Sequence, residues 1–291
     1  MDSDSKANGM RLENAGRRID ARAAAAAALL VACFGLLYRG VAAELVSDWV
    51  RDDNNSHGFL IVPLALYFAW ERRERILRAR STPAWSGLAA VFAGVVLTVL
   101  DMHPFVNRMA MMLTLAGTLL CLLGWARLKV LAFPLLFLLL MIPIPAIILN
   151  QVAFPLQLIA SKFGEWTLAS CRVPVLREGN IIHLANTSLE VAEACSGIRS
   201  LVSLLTLGIV YGYFMESRLW MRIALALATA PVAIVANAAR VAGTGMAAHF
   251  YGEEASQGFF HAFSGWMVFM VAFLMIFVIH RAIVLALPPR R

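Results

Sequence analysis

Eight apolar runs, each bounded by charged residues, proline or glycine, constrain the fold of this chain more than any other feature. A hydrocarbon layer of about 30 Å requires about 20 helical residues, so runs of this order predict membrane-spanning helices. A mean hydropathy of +0.74, with 60% hydrophobic and 15% charged residues, excludes soluble, disordered, collagen-like and disulfide-scaffold classes. We therefore expect an all-α, polytopic membrane helical bundle of about eight transmembrane helices. The runs cover residues 23–45, 58–70, 86–100, 109–124, 128–149, 196–214, 219–237 and 261–280.

The distribution of basic residues predicts how the chain is oriented. With the N-terminus in the cytoplasm, 17 of the 25 Lys and Arg residues fall in cytoplasmic segments, including the short loop E-R-R-E-R-I-L-R-A-R. Short basic loops stay cytoplasmic, so both termini are expected on the cytoplasmic side of a bacterial inner membrane. The net charge of +7 is then explained by topology, and nucleic acid is not an expected partner. The second and third runs are short and need thinning, polar flanks or a re-entrant path to cross.

The polar stretches between the runs predict the domain organisation. Residues 1–22 form a basic cytoplasmic tail, residues 23–285 form one transmembrane domain, and residues 286–291 form a second cytoplasmic tail. The first run is too long for a signal-peptide core and is expected to stay in the protein. Residues 150–194 form an extracytoplasmic segment, in which helical spacing predicts an interfacial amphipathic helix and alternation predicts short strands. Turn signals in that segment are Gly179-Asn180 and Asn186.

Three polar residues are expected to share one depth at the outer membrane face. Cys195 directly precedes the sixth run, Arg240 follows the seventh, and His261 opens the eighth. A helix N-terminus favours the thiolate form of an adjacent cysteine. The pattern therefore indicates a Cys195 nucleophile with His261 as its base and Arg240 as electrostatic support.

The same residues also allow interpretations without catalysis. Membrane cysteines often act as small hydrophobes, as we expect for Cys33 and Cys121. An arginine near the end of a span often extends to lipid headgroups, and an interfacial histidine can be a helix cap. Cys171 is also predicted outside, and a disulfide from it to Cys195 would remove the nucleophile.

Motifs for metal or nucleotide chemistry are absent from the sequence. The histidines lack the H-E-x-x-H spacing, so no metal or other cofactor is expected. The chain also lacks a P-loop, a G-x-G-x-x-G fingerprint and a G-x-S-x-G nucleophile elbow. Nucleotide hydrolysis and serine-esterase chemistry are therefore not expected.

Four segments in order resemble the signature motifs of the exosortase/archaeosortase family. They are D-W-V-R-D-D-N-N-S-H-G-F-L-I-V-P, E-A-C-S-G-I-R-S, N-A-A-R-V and H-A-F-S-G-W. The resemblance implies a membrane cysteine transpeptidase that processes C-terminal sorting signals of the PEP-CTERM type on exported proteins. It assigns Cys195 as nucleophile, His261 as general acid/base and Arg240 as transition-state stabiliser, with the site facing the periplasm.

The resemblance leaves the group that binds the sorting motif unassigned, and four residues are candidates for it: Arg199, Asn237, Arg177 and His57. Expected partners are substrate proteins with a C-terminal transmembrane helix and membrane lipids. The longest family members carry a further periplasmic domain after the membrane core, so a separate periplasmic partner of an exopolysaccharide system is expected here. Two alternatives stay open, a non-catalytic envelope or exopolysaccharide assembly and export factor, and a transporter with Arg240 and Asn237 in its pathway.

Overall fold

The computed structural model describes residues 3–52, 55–185, 187–191, 197–252 and 259–287. Within these ranges only the backbone is described for residues 3–20, 22–23, 152–153, 189, 197–200, 251 and 259–264. The fold is mostly helical and divides into two compact units, Met1–Pro143 and Ile144–Arg291. Compact units need not be independent domains, so the single transmembrane domain over residues 23–285 stays a prediction.

The first unit is entirely helical in its described residues. Its elements are α1 (Ser3–Arg51), α2 (Gly58–Glu71), α3 (Arg73–Arg78), α4 (Ser86–Leu100), α5 (Pro104–Leu138) and a short 3-10 helix (Leu139–Met141). The helix α1 begins far before the first apolar run, so much of the stretch expected as a polar tail is helical.

Glycines bring α4 and α5 into direct backbone contact. A Cβ atom built on Gly87 would lie 2.5 Å from the carbonyl oxygen of Gly117. A Cβ built on Gly117 would lie 2.8 Å from the backbone nitrogen of Val91. Small residues at such contacts let two membrane helices approach closely, which maximises their van der Waals packing.

The fourth and fifth predicted runs meet at a break in α5. Gly124 has φ 79° and ψ 173°, outside the helical range, at the residue where the fourth run was expected to end. The fifth run was predicted as one helix to residue 149, and this is wrong. The helix ends at Leu138, and a new one begins at Ala146, because Pro143 and Pro145 remove backbone donors and restrict the preceding residues.

The second unit combines helices with a small sheet. Its elements are α6 (Ala146–Ser170), β1 (Val175–Glu178), β2 (Ile181–Leu184), β3 (Ser188–Glu190), α7 (Gly197–Met215), α8 (Leu219–Tyr251) and α9 (Phe259–Ala286). The strands pair antiparallel in the order β1-β2-β3, and Glu178 pairs with Ile181 across a turn in which Gly179 has φ 64°. The helix, the strands and the turn at Gly179-Asn180 confirm the elements predicted for residues 150–194, while their extracytoplasmic position stays a prediction and the turn expected at Asn186 lies outside the described residues.

The long helix α8 joins two hydrophobic cores of the second unit. Its first half packs with α7 and α9, through residues that include Leu225, Val232 and Ala236. Its second half packs with α6 and the sheet, through Ala238, Val241 and Ala248. The helix therefore serves as the common wall of both cores.

Four helices within the described residues are long and apolar enough to cross a membrane. They are Ala24–Arg51, Pro104–Met141, Leu219–Phe250 and Gly265–Ala286. Three shorter apolar helices are Gly58–Glu71, Ser86–Leu100 and Leu201–Met215. The structure thus supports a polytopic helical protein, while the count of eight spans and the interfacial position of α6 stay predictions.

Candidate functional site

Arg240 lies inside α8 and not at its end. The prediction that this helix ends between Asn237 and Arg240 is wrong, because α8 continues to Tyr251. The sequence after Arg240 holds three alanines, which favour a helix, and Gly243 and Gly245, which disfavour it. This second half packs on α6, where a Cβ built on Gly164 would lie 2.7 Å from Val241 Cγ1. Tertiary packing therefore extends the helix where local propensity does not decide.

Asn237 and Arg240 occupy the junction between the two cores of the second unit. Ala236 belongs to the core formed with α7 and α9, whereas Ala238 and Val241 belong to the core formed with α6 and the sheet. Asn237 is buried, with 5% of its surface exposed, and Arg240 is half-buried. The spacing of three residues places both on one side of the helix. Two polar side chains therefore sit where packed helices on both sides limit their movement.

The guanidinium of Arg240 lies against α9. A Cβ built on Gly265 would be 3.7 Å from Arg240 Nη2 and 3.8 Å from Cζ, which is an ordinary van der Waals distance. His261 precedes Gly265 by four residues in the same helix, and residues with this spacing share one face. The structure thus brings Arg240 to the face of α9 on which the backbone of His261 lies, one turn away.

The N-terminus of α7 is level with the same part of α8. Cβ atoms built on Gly208 and Gly212 would contact α8 between Arg222 and Thr229, so the two helices run antiparallel side by side. Gly197 lies eleven residues before Gly208, and the turn 236–240 lies eleven residues after 225–229. Equal rise along both helices therefore places Gly197 level with Arg240 to within about one turn.

Cys195 lies outside the described residues, two positions before Gly197 in the sequence. For Arg199 the structure gives only the backbone, in the first turn of α7. Cys171, at the end of α6, is exposed, and among the described residues Cys33, Cys121 and Cys171 are free thiols. The alternative of a disulfide between Cys171 and Cys195 involves a residue outside the described part of the chain and stays a prediction.

Arg177 forms hydrogen bonds with two residues of the second unit. Its Nε donates to Glu165 Oε2 at 2.8 Å, and its Nη1 donates to the carbonyl oxygen of Gly179 at 2.8 Å. These contacts join the β1–β2 turn to α6. The structure thus gives Arg177 a role in positioning the hairpin, and its proposed contact with substrate stays a prediction.

His57 belongs to the first unit, where it occupies the N-cap position of α2 without a side-chain cap hydrogen bond. Its Nε2 lies 3.3 Å from the carbonyl oxygen of Leu140, and its Nδ1 is buried without a hydrogen-bond partner among the described residues. Trp49 Nε1, near the end of α1, donates to the carbonyl oxygen of Met141 at 3.0 Å. Trp49 therefore joins the end of α1 to the 3-10 helix, and His57 places the start of α2 beside it.

Sequence reasoning missed Gly265, although the motif H-A-F-S-G-W contains it. The signal that could have found it is the four-residue spacing from His261, which predicts a gap on the His261 face of the helix. Within the part of the chain that the structure describes, no group of three or more His, Cys, Asp or Glu residues is placed to hold a metal ion.

A comparison with protein-family models matches residues 49–278 to the family described as transmembrane exosortase (Exosortase_EpsH). The match covers most of the chain and includes the segments around Cys195, Arg240 and His261. Comparisons with curated proteins and with solved structures gave no match.

Proposed function

The chain belongs to the transmembrane exosortase family, and from this premise we propose that it is a membrane-embedded cysteine protease and transpeptidase. Its substrates are exported proteins with a C-terminal PEP-CTERM-type sorting signal and a transmembrane helix. The reaction takes place at the periplasmic face of a bacterial inner membrane. Both termini of the enzyme lie in the cytoplasm, and no cofactor takes part.

The contact between Arg240 and the Gly265 position is the observation that carries this proposal. It supports a site in which an arginine and a histidine from adjacent helices face the same reacting group. Gly197 is level with Arg240, and Cys195 precedes Gly197 by two residues, which supports Cys195 as the third residue of the site. Three segments far apart in the sequence thus converge on one depth of the second unit.

In the proposed mechanism, His261 accepts the thiol proton and the Cys195 thiolate attacks the scissile carbonyl carbon. A C–S bond forms, and the Arg240 guanidinium offsets the negative charge on the tetrahedral oxygen. The C–N bond then breaks as His261 donates its proton to the leaving amine. Water or an acceptor amine attacks the resulting thioester and passes its proton to His261. The C–S bond then breaks, the product leaves, and His261 returns the proton to the Cys195 thiolate.

Rigid support for Arg240 explains why such a site suits the junction of two cores. A transition-state contact is effective only when its donor is already oriented, since reorganisation would consume the stabilisation. The packing of α8 on both sides provides this orientation. A substrate helix bound beside α7, α8 and α9 positions the scissile bond, so truncation of that helix should lower kcat as well as raise KM.

The direct test is processing of a reporter with a sorting signal by the full chain in proteoliposomes. Cys195→Ala should abolish cleavage, while Cys171→Ala, which removes another extracytoplasmic thiol, should leave it unchanged. Cleavage that survives Cys195→Ala would contradict Cys195 as the nucleophile, whereas no cleavage by the wild type, with envelope assembly retained in cells that carry Cys195→Ala, would indicate the non-catalytic assembly factor. Substrate flux without cleavage would indicate a transporter.

A further inference from the structure

An open cavity of about 910 Å³ lies where α7 ends, α8 begins and α9 ends. It is separate from the candidate site, because His280 on its wall follows Gly265 by fifteen residues, roughly 22 Å along α9. The basic-residue pattern predicts that this end of the helices is cytoplasmic. The wall consists of Met215, Glu216, Ser217, Arg218, Trp220, His280, Arg281, Val284, Ala286 and Leu287.

Two arginines and one glutamate give the wall a net positive charge when His280 is neutral. Glu216 is already engaged, because Arg218 donates to its carboxylate from Nε and Nη2 at 3.2 and 3.0 Å. The backbone N–H groups of Ser217 and Arg218 donate to the same carboxylate. Glu216 therefore fixes Arg218 in place and neutralises its charge. The positive charge of Arg281 is not neutralised by this carboxylate.

A buried nitrogen of His280 lacks a partner at this wall. His280 is 6% exposed, and its Nε2 has no hydrogen-bond partner among the described residues. Its Nδ1 lies 2.9 Å from the Tyr211 hydroxyl, which donates to it in the tautomer that carries the ring proton on Nε2. The nearest carboxylate oxygen, Glu216 Oε2, is 3.8 Å away. In this tautomer the buried Nε2–H group has no acceptor, which is unfavourable, so negative charge in the adjoining cavity would stabilise the ring.

We propose that this cavity binds the phosphate group of an anionic phospholipid. Its oxygens accept hydrogen bonds from Arg281 and from the remaining N–H groups of Arg218. The exposed side chains of Met215, Trp220 and Leu287 form an apolar rim that suits acyl chains. Basic pockets between helices on the cytoplasmic side of membrane proteins commonly bind such headgroups. The site does not depend on the proposed protease activity.

The test measures lipid binding to the purified full chain by native mass spectrometry. Phosphatidylglycerol should bind about tenfold more tightly than phosphatidylcholine, and Arg281→Gln should remove this preference. The matched control is Arg73→Gln, an exposed arginine over Trp70 on the same predicted side of the membrane, which should keep the preference.

Inorganic phosphate, added at millimolar concentration, identifies the source of the phosphate group. Weak competition is expected, because free phosphate makes no contact with the apolar rim. Equal lipid affinities, or the same loss in Arg73→Gln as in Arg281→Gln, would overturn the proposal. If inorganic phosphate displaced the lipid and bound as tightly as the lipid does, this result would contradict a phospholipid as the source of the phosphate group.

Discussion

The two ends of the α8–α9 pair hold polar groups in different ways. At one end, Arg240 projects from within α8, between two packed cores, and its guanidinium reaches α9 at Gly265. At the other end, Arg218 lies in the turn before α8 and is fixed by Glu216. Helix packing positions Arg240, whereas the ion pair with Glu216 positions Arg218. Substitutions at the two ends should therefore have separable effects.

Among substitutions that compare the two ends, the largest effect is expected from Arg240→Gln. Loss of a charge-stabilising donor should lower kcat by about 10²–10³-fold, with the fold retained. The measurement is the rate of reporter cleavage at saturating substrate, together with the Tm. Arg222→Gln on the same helix, whose Nε donates to the carbonyl oxygen of Glu216, should lower the Tm without this loss of kcat. Equal kcat losses in both variants would contradict the separation of the two ends.

The packing that supports Arg240 is tested by Gly245→Val. A Cβ at this position would lie 2.9 Å from Leu168 Cδ1 on α6, so a larger side chain forces the helices apart. We expect a destabilisation of about 1–3 kcal/mol, read as a lower Tm, with reduced cleavage. Gly243→Val carries the same helix-propensity change two residues earlier, where a Cβ meets nothing within 4 Å. Because valine has a higher helix propensity than glycine, Gly243→Val should keep the wild-type Tm, and equal Tm losses in the two variants would contradict the packing role of Gly245.

The ion pair at the other end predicts a pH-dependent effect. Hydrogen bonds from Arg218 lower the pKa of Glu216 from 4.5 to about 2. A lowered pKa in the folded state contributes stability above pH 4.5, and this contribution is lost as the pH falls toward 2. Glu216→Gln should therefore lower the Tm by a few degrees at pH 7, and the difference from wild type should vanish toward pH 2.

Glu74→Gln is the control for this titration. Glu74 forms an exposed ion pair with Arg78, four residues later, at 3.2 Å. Exposed pairs contribute little, so this variant should keep the wild-type Tm across the same pH range. A Tm difference for Glu216→Gln that does not change with pH would contradict the ionic role of Glu216.

The smallest effect is expected from Gly265→Ala. The added methyl group would meet Arg240 Nη2 at 3.7 Å without a clash, so cleavage should stay within about threefold of wild type. Gly35→Ala, where a Cβ meets nothing within 4 Å, provides the comparison for the change in helix propensity. A loss as large as that of Arg240→Gln would show that Arg240 needs more space than this distance allows.

The sequence predicted the features that depend on local patterns. Apolar runs became helices because backbone polar groups must be paired within a lipid layer, and the hairpin at Gly179-Asn180 followed from alternation and a turn signal. Extension of α8 past Arg240 was not predicted, because hydropathy marks where a helix enters lipid and not where it ends. The contact of Arg240 with α9 also has no local signal.

Contacts between distant segments could not be predicted from the sequence, because they also have no local signal. Two side-chain hydrogen bonds show this. One joins Tyr211 to His280, 69 residues apart, and the other joins Asp48 to Arg108, 60 residues apart. Helical periodicity shows which face of a helix is apolar, but it does not show which helix packs against that face. No local pattern in the sequence therefore singles out His280, although it lines the cavity proposed to bind lipid.

The most direct test of the central claim is the intact mass of the protein after reaction with a sorting-signal peptide that includes its apolar helix. We expect an acyl adduct on the wild type and on Cys171→Ser, none on Cys195→Ser, and slower formation on His261→Ala. An adduct that persists in Cys195→Ser, or that disappears in Cys171→Ser, would contradict the assignment of Cys195 as the nucleophile.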